Sequence, residues 1–294
     1  MTTFLISGGR GLVGKSLSKM LTRQGHTVYK LTRKPKRKEH IYWNPEKQSI
    51  EEKYLAEIEV IINLAGANIG DRKWSKNRKI ELINSRVNSI LFLKNSAKSM
   101  PKLNYYISAS GINCYGYNMH NEKTEEDHYG DDFLSELVKE WESASDSFKE
   151  ICPVAKLRIA MVVDKRGGAL QKIMKTIKFG LGAPLGSGKQ YIPWIHIQDL
   201  CRMFVYCIEN NKEGTFNAAN GYISNKEFMR TISKKMKKPF FFPPIPRPLL
   251  SLFLGEMSTM LTESLKVSNQ KIKDTGFQFL HPNFDSAISE IIKK

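Results

Sequence analysis

The sequence lacks several features that would assign it to a specialised class of protein. It has only four cysteines, at positions 114, 152, 201 and 207, and no C-x-x-C pair, so we expect neither a disulfide framework nor a zinc site. No run of about 18 apolar residues occurs, which excludes a membrane-spanning helix. An apolar segment begins almost at the first residue, so we expect no signal peptide. The scattered cysteines are typical of core thiols, so we expect a cytoplasmic protein without a metal.

Acidic residues are scarce relative to basic ones. The 294 residues include 46 Lys and Arg against 29 Asp and Glu, a net charge of +17 that raises nucleic acid or an anionic membrane as partners. The cations are spread along the chain among glutamates, and only RKPKRK at 33–38 is dense. We interpret the excess as a lysine-rich, solvated surface and expect no specific nucleic-acid partner and no membrane partner.

The first half of the chain alternates between strand and helix patterns. Helical patterns at 12–24, 75–99 and 133–148 separate apolar, strand-like segments at 3–7, 26–32, 60–67, 105–110 and 154–163. This alternation predicts crossover units and a doubly wound α/β fold with a parallel sheet. The long pattern at 75–99 predicts an apolar helix face made of Ile80, Ile83, Val87, Ile90, Leu91 and Leu93.

The second half has a different character. Glycines cluster at 179–190, and five prolines between 239 and 248 precede a helical pattern at about 249–265. We therefore expect a nucleotide-binding domain at 1–165, to which some later segments return. Residues 166–294 would form a smaller substrate-side portion covering the carboxyl ends of the strands.

The segment GGRGLVGKS at 8–16 fits two nucleotide-binding motifs. Gly8, Gly11 and Gly14 have the spacing of a dinucleotide-binding turn, whereas the segment from Gly9 to Ser16 also reads as the phosphate loop G-x-x-x-x-G-K-[ST]. Both motifs require a strand before them and a helix after them, and the chain supplies both.

The residues between the glycines favour the dinucleotide turn. Leu12 and Val13 are bulky and begin the apolar face of a helix, whereas a phosphate loop needs small, pliable residues there. Lys15 and Ser16 would then lie in an exposed first turn. One feature supports a triphosphate site: RIAMVVD ends an apolar run in Asp164, as a magnesium-binding strand would.

The end of the second strand points to the cofactor. NAD-binding folds place an acidic residue there, about 20 residues beyond the glycines, to bond the ribose hydroxyls. Here the strand ends in LTRK, and Arg33 follows Gly14 by 19 residues. A guanidinium at this position pairs with a 2′-phosphate, which favours NADP over NAD.

Twelve motifs fall along the chain in an order that resembles one protein family nearly from end to end. The chain resembles the extended short-chain dehydrogenase/reductases, and more closely a divergent, epimerase-like branch with its own C-terminal domain. Some members of that branch are labelled cell-division inhibitors. The motifs are ISGGRGLVG, VIINLAGANI, RKW, INSRV, ISASGINCYG, FLSELVKEWE, GGAL, GLGAPLGSGKQ, WIHIQDL, FNAA, LGEM and TGFQF.

The resemblance implies a Rossmann-type NADP-binding domain and assigns roles to particular residues. On the long helix, Arg86 stands where relatives often have an asparagine, and Ser108 and Ser110 lie on a strand end facing the nicotinamide. Long helices of the 75–99 type often pair in dimers of this superfamily, so a homodimer is expected. The residues implied to hold the rest of the cofactor are Gly8, Gly11, Leu12, Val13, Arg33, Asn63, Leu64, Ala65 and Gly66.

The chain departs from the family at the catalytic pair. Active relatives use Tyr-x-x-x-Lys, in which the tyrosine moves a proton and the lysine lowers its pKa. With Glu142 as the anchor, Leu134 stands at the tyrosine position and Val138 at the lysine position. A shift by one residue gives Ser135 and Lys139, still without a tyrosine. The usual acid–base pair is therefore missing.

Other residues are candidates to replace that pair. We consider Ser110, Tyr115 (with Tyr117 nearby) and His196, the last oriented by Asp199. Tyr115 could equally be a packed aromatic, and His196 a structural histidine.

The function expected from these residues is an NADP-dependent oxidoreductase or epimerase-like enzyme that acts on a small carbonyl or hydroxyl substrate. A non-catalytic, NADP-sensing protein is the alternative. Arg158 and Lys189 could bind an anionic substrate or be solvated cations, and Met257 and Met260 are expected to pack in the core or cap.

Overall fold

A large, mainly parallel sheet organises the chain. In this computed structural model, which describes residues 1–117 and 121–293, the strand order is β11-β8-β6-β5-β1-β2-β3-β4. Neighbouring strands are parallel except β3 and β4. The strands are β1 (Thr3–Ser7), β2 (Thr27–Thr32), β3 (His40–Asn44), β4 (Ser49–Ile50), β5 (Val60–Asn63), β6 (Tyr105–Gly111), β8 (Val154–Ile159) and β11 (Gly214–Ala218).

Helices cover both faces of this sheet. On one face α2 packs beside α3, and on the other α1 packs beside α5. The doubly wound α/β fold predicted from the alternation is therefore confirmed. The helices are α1 (Leu12–Arg23), α2 (Lys76–Ser96), α3 (Phe133–Asp146), α4 (Gly168–Lys178), α5 (Ile197–Glu209), α6 (Asn225–Lys235), α7 (Arg247–Leu254), α8 (Thr259–Thr262), α9 (Gln270–Asp274) and α10 (Phe284–Lys293).

The strand order reverses beside β1. This strand pairs with β2 on one side and with β5 on the other. Later strands are therefore added outward from β1 in both directions. Loops that leave β1 and β5 diverge at such a point and open a crevice at their carboxyl ends. The four residues of β5 are all buried, as expected for a strand covered by helices on both sides.

Two smaller sheets complete the fold. The segment 154–163, expected as one strand, is two strands in different sheets. The chain leaves the large sheet at Ala160, whose N–H donates to the Ala218 carbonyl at 3.1 Å. A second core lies between β9, α4, α6 and α10. The remaining strands are β9 (Met161–Val163), β10 (Tyr191–His196) and β12 (Gly221–Ser224) in one small sheet, and β7 (Glu122–Lys123) and β13 (Lys266–Val267) in the other.

Helix α2 differs from its predicted amphipathic pattern. Ile90 and Leu93 are buried and Ile83 and Val87 half-buried, but Ile80 is 57% and Leu91 42% exposed. At about 100° per residue, Leu91 lies half a turn away from the buried Leu82, so it faces outward. The expected homodimer and the domain boundary at 165/166 both stay predictions.

Within the described residues, no helix combines the length and apolar character needed to cross a membrane.

Candidate cofactor-binding site

The glycine turn after β1 is pressed against the loop after β5. Gly8 has a φ of +68°, and a Cβ there would overlap the Leu64 carbonyl. The Gly11 N–H donates to the Gly8 carbonyl at 3.0 Å. A Cβ on Gly14 would lie 2.6 Å from that same Gly8 oxygen, closer than side chains tolerate. Glycine is therefore required at both Gly8 and Gly14.

Helix α1 begins directly at this turn. Gly11 is its N-cap residue and provides no side-chain hydrogen bond, and the first turn contains no acidic residue. The first N–H groups of the helix and the positive end of its dipole therefore suit an anionic group such as a pyrophosphate. Leu12 and Val13 are half-buried, and Leu12 packs beside Gly167, where a Cβ would lie 3.4 Å from Leu12 Cδ1.

Two of the groups expected in a metal–triphosphate site, Ser16 and Asp164, form hydrogen bonds or ion pairs with other residues. Lys15 is exposed on the first turn of α1. The Ser16 hydroxyl donates to the Leu12 carbonyl at 3.1 Å and accepts from Arg166 Nη2 at 3.1 Å. The carboxylate of Asp164 binds Arg166. Ser16 and Asp164, two of the groups that would hold a metal–triphosphate, are thus bonded to other partners.

The end of β2 is basic and exposed. Arg33 is exposed, and its Nη1 lies 3.8 Å from a carboxylate oxygen of Glu46, which is also exposed. Residues 33–39 loop over the carboxyl end of β2, because β3 begins alongside Lys30, paired with His40. An anion with a 2′-phosphate can approach this loop from solvent.

Arg10 is a second cation at this end of the site, which the sequence reasoning missed. It lies exposed within the glycine turn itself. Burial lowers the pKa of His40 at the start of β3, Glu39 opposes this, and the cations Lys30, Arg37 and Arg10 lower the pKa further. The positive charge of Arg10 is thus close enough to add to that of the loop after β2. The signal that could have found it is a cation placed between two glycines of the motif.

A buried hydrogen-bonded row connects the ends of three central strands. Ser7 Oγ donates to Asn63 Oδ1, and Asn63 Nδ2 donates to Ser108 Oγ at 3.3 Å. The backbone N–H groups of Leu64 and Ala65 donate to Ser7 Oγ at 3.1 and 3.2 Å. Asn63 and Ser108 therefore position the loop after β5 from beneath, while Leu64 and Ala65 lie closer to the surface.

Arg86 supports the same loop from α2. Its guanidinium is buried, donating to the Leu82 carbonyl at 2.9 Å and to the Ala67 carbonyl at 3.1 Å. The guanidinium lies over the Trp141 ring, 4.7 Å from its centre. Gly66, which is exposed, packs on this group, since a Cβ there would be 3.0 Å from Arg86 Cζ. Burial lowers the pKa of Arg86 to about 10, and nearby Arg78 contributes.

Ser110 belongs to a buried network at the end of β6. Its hydroxyl donates to Glu142 Oε1 at 2.5 Å. Arg158 binds the same carboxylate through Nε at 2.9 Å and Nη2 at 3.0 Å, and the Tyr129 hydroxyl donates to it at 2.8 Å. Burial opposes ionisation of Glu142, but these hydrogen bonds, led by that of Arg158, lower its pKa below the ordinary value.

Tyr115 joins that network from the other side. Its hydroxyl donates to Asn217 Oδ1 at 2.6 Å and accepts from Arg158 Nη1 at 2.9 Å. Burial raises the pKa of Tyr115 well above its ordinary value. Tyr117 accepts from Asn113 Nδ2 at 3.2 Å, and burial raises its pKa to about 12. Neither hydroxyl has the lowered pKa that a proton-transferring tyrosine has in the family.

Apolar side chains occupy the positions of the family's catalytic pair. Leu134 and Val138 are both 2% exposed on α3. A Cβ on Gly111, next to Ser110, would lie 3.4 Å from Val138 Cγ2. In the shifted register, the Ser135 hydroxyl donates to the Asn113 carbonyl at 3.2 Å and Lys139 is exposed. Neither register brings a tyrosine and a lysine together.

His196 lies in the second core region, at the start of α5. Its Nδ1 accepts from the Gln198 N–H at 3.2 Å, its Nε2 lies 3.2 Å from Glu290 Oε2, and its ring lies 3.8 Å from that of His281. Burial, with His281, lowers the pKa of His196 to about 4. The expectation that Asp199 orients this ring is wrong, because its carboxylate accepts from Asn220, Leu280 and His281 instead.

The same histidines form a group with metal-ligand chemistry. The ligand atoms of His196, His281 and Glu290 lie within 4.8 Å of one another. However, the Gln198 N–H points at His196 Nδ1, so the proton of the neutral ring is on Nε2, the atom nearest Glu290. This arrangement is that of a hydrogen-bonded histidine rather than a metal ligand.

The remaining candidates separate into buried and exposed residues. Arg158 is 4% exposed and bound to Glu142, so it is not the solvated cation that was one alternative. Lys189 is exposed. Met257 packs partly buried against the main core, whereas Met260 is 37% exposed.

Comparisons with known protein families match both parts of the chain. The model of the NAD dependent epimerase/dehydratase family matches residues 4–133. A domain of unknown function, DUF1731, matches residues 245–291, from α7 into α10.

Individual relatives are similar over nearly their whole length. The epimerase family protein SDR39U1 of Mus musculus is 30% identical, covering 98% of this chain and 99% of the relative. The epimerase family protein SA0724 of Staphylococcus aureus (strain N315) is 33% identical, covering 100% of both. The crystal structure of human SDR39U1 (isoform 2) with NADPH has a TM-score of 0.88 at 29% identity, covering 99% of each chain. A UDP-N-acetylglucosamine 4-epimerase from Bacillus cereus shares the fold, with a TM-score of 0.82 at 16% identity.

Proposed function

This chain belongs to the epimerase family, and we propose that it binds NADPH at the carboxyl ends of β1, β2, β5 and β6. It would use the cofactor as an oxidoreductase or epimerase-like enzyme on a small carbonyl or hydroxyl substrate. The four cysteines are free and buried, which supports a reducing, cytoplasmic compartment.

One observation carries the proposal: the glycine turn leaves no room for side chains against the loop after β5. The overlap of a Gly8 Cβ with Leu64, and the 2.6 Å approach of a Gly14 Cβ to Gly8, describe a turn compressed for close contact with a phosphate. Gly8, Gly11 and the first turn of α1 would hold the pyrophosphate. Leu64, Ala65 and Gly66 would lie along the nicotinamide half.

The 2′-phosphate explains the preference for NADPH. Arg33 and Arg10 are exposed at the end of the site where the adenosine ribose would lie, beyond β2. Among the described residues, the one ion pair of Arg33 is its weak contact with the exposed Glu46, and a doubly charged phosphate would readily replace that carboxylate. A second guanidinium allows the phosphate to be held from two sides.

When bound, the nicotinamide supplies or accepts a hydride. The chain's own part is to hold the reacting groups in place and to keep water away. Arg86 fixes the backbone at Ala67, and the row from Ser7 to Ser108 fixes Leu64 and Ala65. With no tyrosine–lysine pair on α3, most of the rate would come from orientation.

A second candidate, a non-catalytic NADPH-sensing protein, is favoured by the buried network around Ser110. The hydroxyls of Ser110 and Tyr115, two of the expected proton donors, are bonded to Glu142 and Asn217. Leu134 and Val138 are buried where the acid–base pair would stand. The parts that bind phosphate are thus retained without those that move protons.

Calorimetric titration of the full chain with NADPH, NADH and ATP tests the binding proposal. We expect NADPH to bind at least tenfold more tightly than NADH, and Arg33→Ala to remove most of that difference. Lys15→Ala is the matched control, a nearby exposed cation that belongs only to the phosphate-loop motif. Binding of ATP without either nicotinamide cofactor, lost in Lys15→Ala, would contradict the proposal.

Oxidation of bound NADPH by a panel of small carbonyl compounds separates the two candidates. Turnover with any member of the panel supports the enzyme. Tight NADPH binding without turnover on the whole panel supports the sensing protein.

A further inference from the structure

Two long segments of the second half contain no acidic residue. Residues 165–198 and 228–255 are free of Asp and Glu, although the whole chain has 29 of them. Their cations are Lys165, Arg166, Lys172, Lys175, Lys178 and Lys189 in the first segment, and Arg230, Lys234, Lys235, Lys237, Lys238 and Arg247 in the second.

The fold brings these two segments together. Gly186 N donates to the Ile245 carbonyl, and Ile245 N donates to the Pro184 carbonyl, both at 2.9 Å. A Cβ on Gly182 would lie 3.5 Å from the ring of Phe240. The chain just after α4 and the chain just after α6 are therefore neighbours, although about 60 residues separate them in the sequence.

Large apolar side chains are exposed along both segments. Phe179 is 80%, Phe241 72%, Leu252 70% and Phe253 67% exposed, and Leu181, Phe242 and Leu249 are also exposed. All of α7 lies in the described part of the chain, and none of its residues is buried. We call these seven residues, with Lys175, Lys178, Lys237 and Lys238, the basic–apolar surface. Exposed apolar residues on segments that adjoin each other, as 180–186 adjoins 239–245, mark an interaction site.

The four lysines of this surface flank the aromatic residues. Lys175 and Lys178 end α4 just before Phe179, and Lys237 and Lys238 precede Phe241 by three to four residues. All four are exposed, and within the described residues none of them is in an ion pair. Other cations of the two segments are neutralised, for example Lys235 by Asp285 and Arg247 by Glu263.

We propose that the basic–apolar surface docks on an anionic lipid bilayer, with the Phe and Leu side chains in the interface and the lysines at the lipid headgroups. Peripheral proteins bind anionic membranes through this combination of apolar insertion and basic attraction. The contact is peripheral and requires no spanning helix. It departs from the expectation, drawn from the overall distribution of charge, that the chain has no membrane partner.

The charge of the surface decides between possible occupants. A second copy would present the same four lysines, and two such surfaces would repel each other. A nucleic acid would meet the lysines, but its bases gain little from the aliphatic Leu181, Leu249 and Leu252. An anionic lipid surface offers favourable contacts to both the cations and the aliphatic groups.

Flotation of the full-length protein with lipid vesicles tests the proposal. We expect it to float with vesicles that contain phosphatidylglycerol and not with vesicles of phosphatidylcholine alone, and we expect high salt to weaken the binding. Phe241→Ser with Phe253→Ser should lower the partition coefficient about tenfold or more, since each side chain loses apolar burial. Lys237→Glu with Lys238→Glu should lower it by a similar factor.

The matched controls lie on other surfaces. Ile151→Ser with Leu280→Ser changes two exposed apolar residues elsewhere, and Lys98→Glu reverses an exposed charge on another face. These variants should float like the unchanged protein. Thermal unfolding of every variant verifies that the substitutions, all at exposed positions, leave the fold intact.

Three results would overturn the proposal. The first is no flotation with either vesicle. The second is flotation that the double serine variant retains in full, which would mean charge attraction without insertion. The third is a dimer of the unchanged protein that the Phe241→Ser, Phe253→Ser variant converts to a monomer, which would make this surface a contact between copies.

Discussion

Arg158 on β8 and Glu142 on α3 form a two-pronged ion pair beneath the end of β6. Nε and Nη2 of the arginine reach the two carboxylate oxygens at 2.9 and 3.0 Å, and both residues are almost fully buried. Ser110, Tyr115 and Tyr129 bond to one or both members of the pair. The pair thus connects α3 to the sheet about one helical turn beyond Val138.

Removal of one member of this pair should be strongly destabilising. Glu142→Gln leaves the Arg158 charge buried without a counter-ion, so the free energy of unfolding should fall by about 3–5 kcal/mol. Arg158→Met together with Glu142→Gln should lose less than the sum of the single changes. Urea unfolding of the four proteins measures this coupling, and additive losses would contradict it.

Tyr115→Phe distinguishes a structural tyrosine from a catalytic one. Loss of the hydroxyl leaves Asn217 Oδ1 without this donor, so the free energy of unfolding should fall by about 1–3 kcal/mol. The affinity for NADPH should stay unchanged, since the hydroxyl points to Asn217 and Arg158. A variant as stable as the unchanged protein would show that the hydrogen bonds of Tyr115 do not support the fold.

Gly14→Ala should damage both the turn and cofactor binding. The added methyl group would lie 2.6 Å from the Gly8 carbonyl oxygen, and backbone must move to relieve the overlap. We expect a loss of about 1–3 kcal/mol in stability and weaker NADPH binding by calorimetry. Gly70→Ala is the matched control, because the nearest atom to its Cβ is 3.8 Å away. Equal effects of the two changes would rule out the compressed turn.

Arg10→Ala should weaken NADPH binding without affecting NADH. A charge-assisted hydrogen bond to phosphate contributes about 1.5–3 kcal/mol, so the affinity should fall by roughly tenfold or more. If Arg10 and Arg33 hold the same phosphate, the double variant should show non-additive losses. A parallel loss of NADH affinity would instead mean that Arg10 acts on the shared part of the cofactor.

His196 should make the fold sensitive to mild acid. Its pKa is lowered to about 4 in the folded chain, whereas an unfolded histidine titrates near 6.5. The unfolded state therefore binds the proton first, and stability should be lost as the pH falls from about 6.5 towards 4, by about 1–3 kcal/mol. His281 and Glu290 face the ring of His196.

His196→Asn is the variant that tests this dependence. Asparagine can still accept the Gln198 N–H at the start of α5, but it does not titrate. The slope of stability against pH between 4 and 6.5 should become shallower than in the unchanged protein, whatever the absolute stability. An unchanged slope would assign the acid sensitivity to other groups.

Much of this fold could be predicted from short-range patterns. The alternation of apolar runs with helical periodicity predicted the doubly wound sheet, because a buried parallel strand must be apolar and its crossover helix amphipathic. The spacing of Gly8, Gly11 and Gly14 after β1 predicted the turn for the same kind of local reason. The absence of a tyrosine and a lysine at 134 and 138 could also be read directly.

Patterns that depend on two distant segments were less predictable. The run 154–163 is apolar except for Lys156 and Arg158, and neither Ala160 nor its neighbours indicate that the chain changes sheet there, where the bond to Ala218 forms. On α2 the polar residues Arg78, Arg86 and Ser89 take part of the buried face. Only tertiary packing decides that Ile80 and Leu91 lie outside it.

The sequence by itself determined the parallel sheet, the glycine turn and the basic end of β2, because each depends on neighbouring residues and backbone geometry. Only the tertiary structure decided that Ser110 and Tyr115 are bound into the Glu142–Arg158 network and that Asp199 turns away from His196. It also brought together the two acid-free segments of the basic–apolar surface. Hydrogen-bond partners and shared surfaces depend on which distant segments the fold makes neighbours, and no local spacing records that.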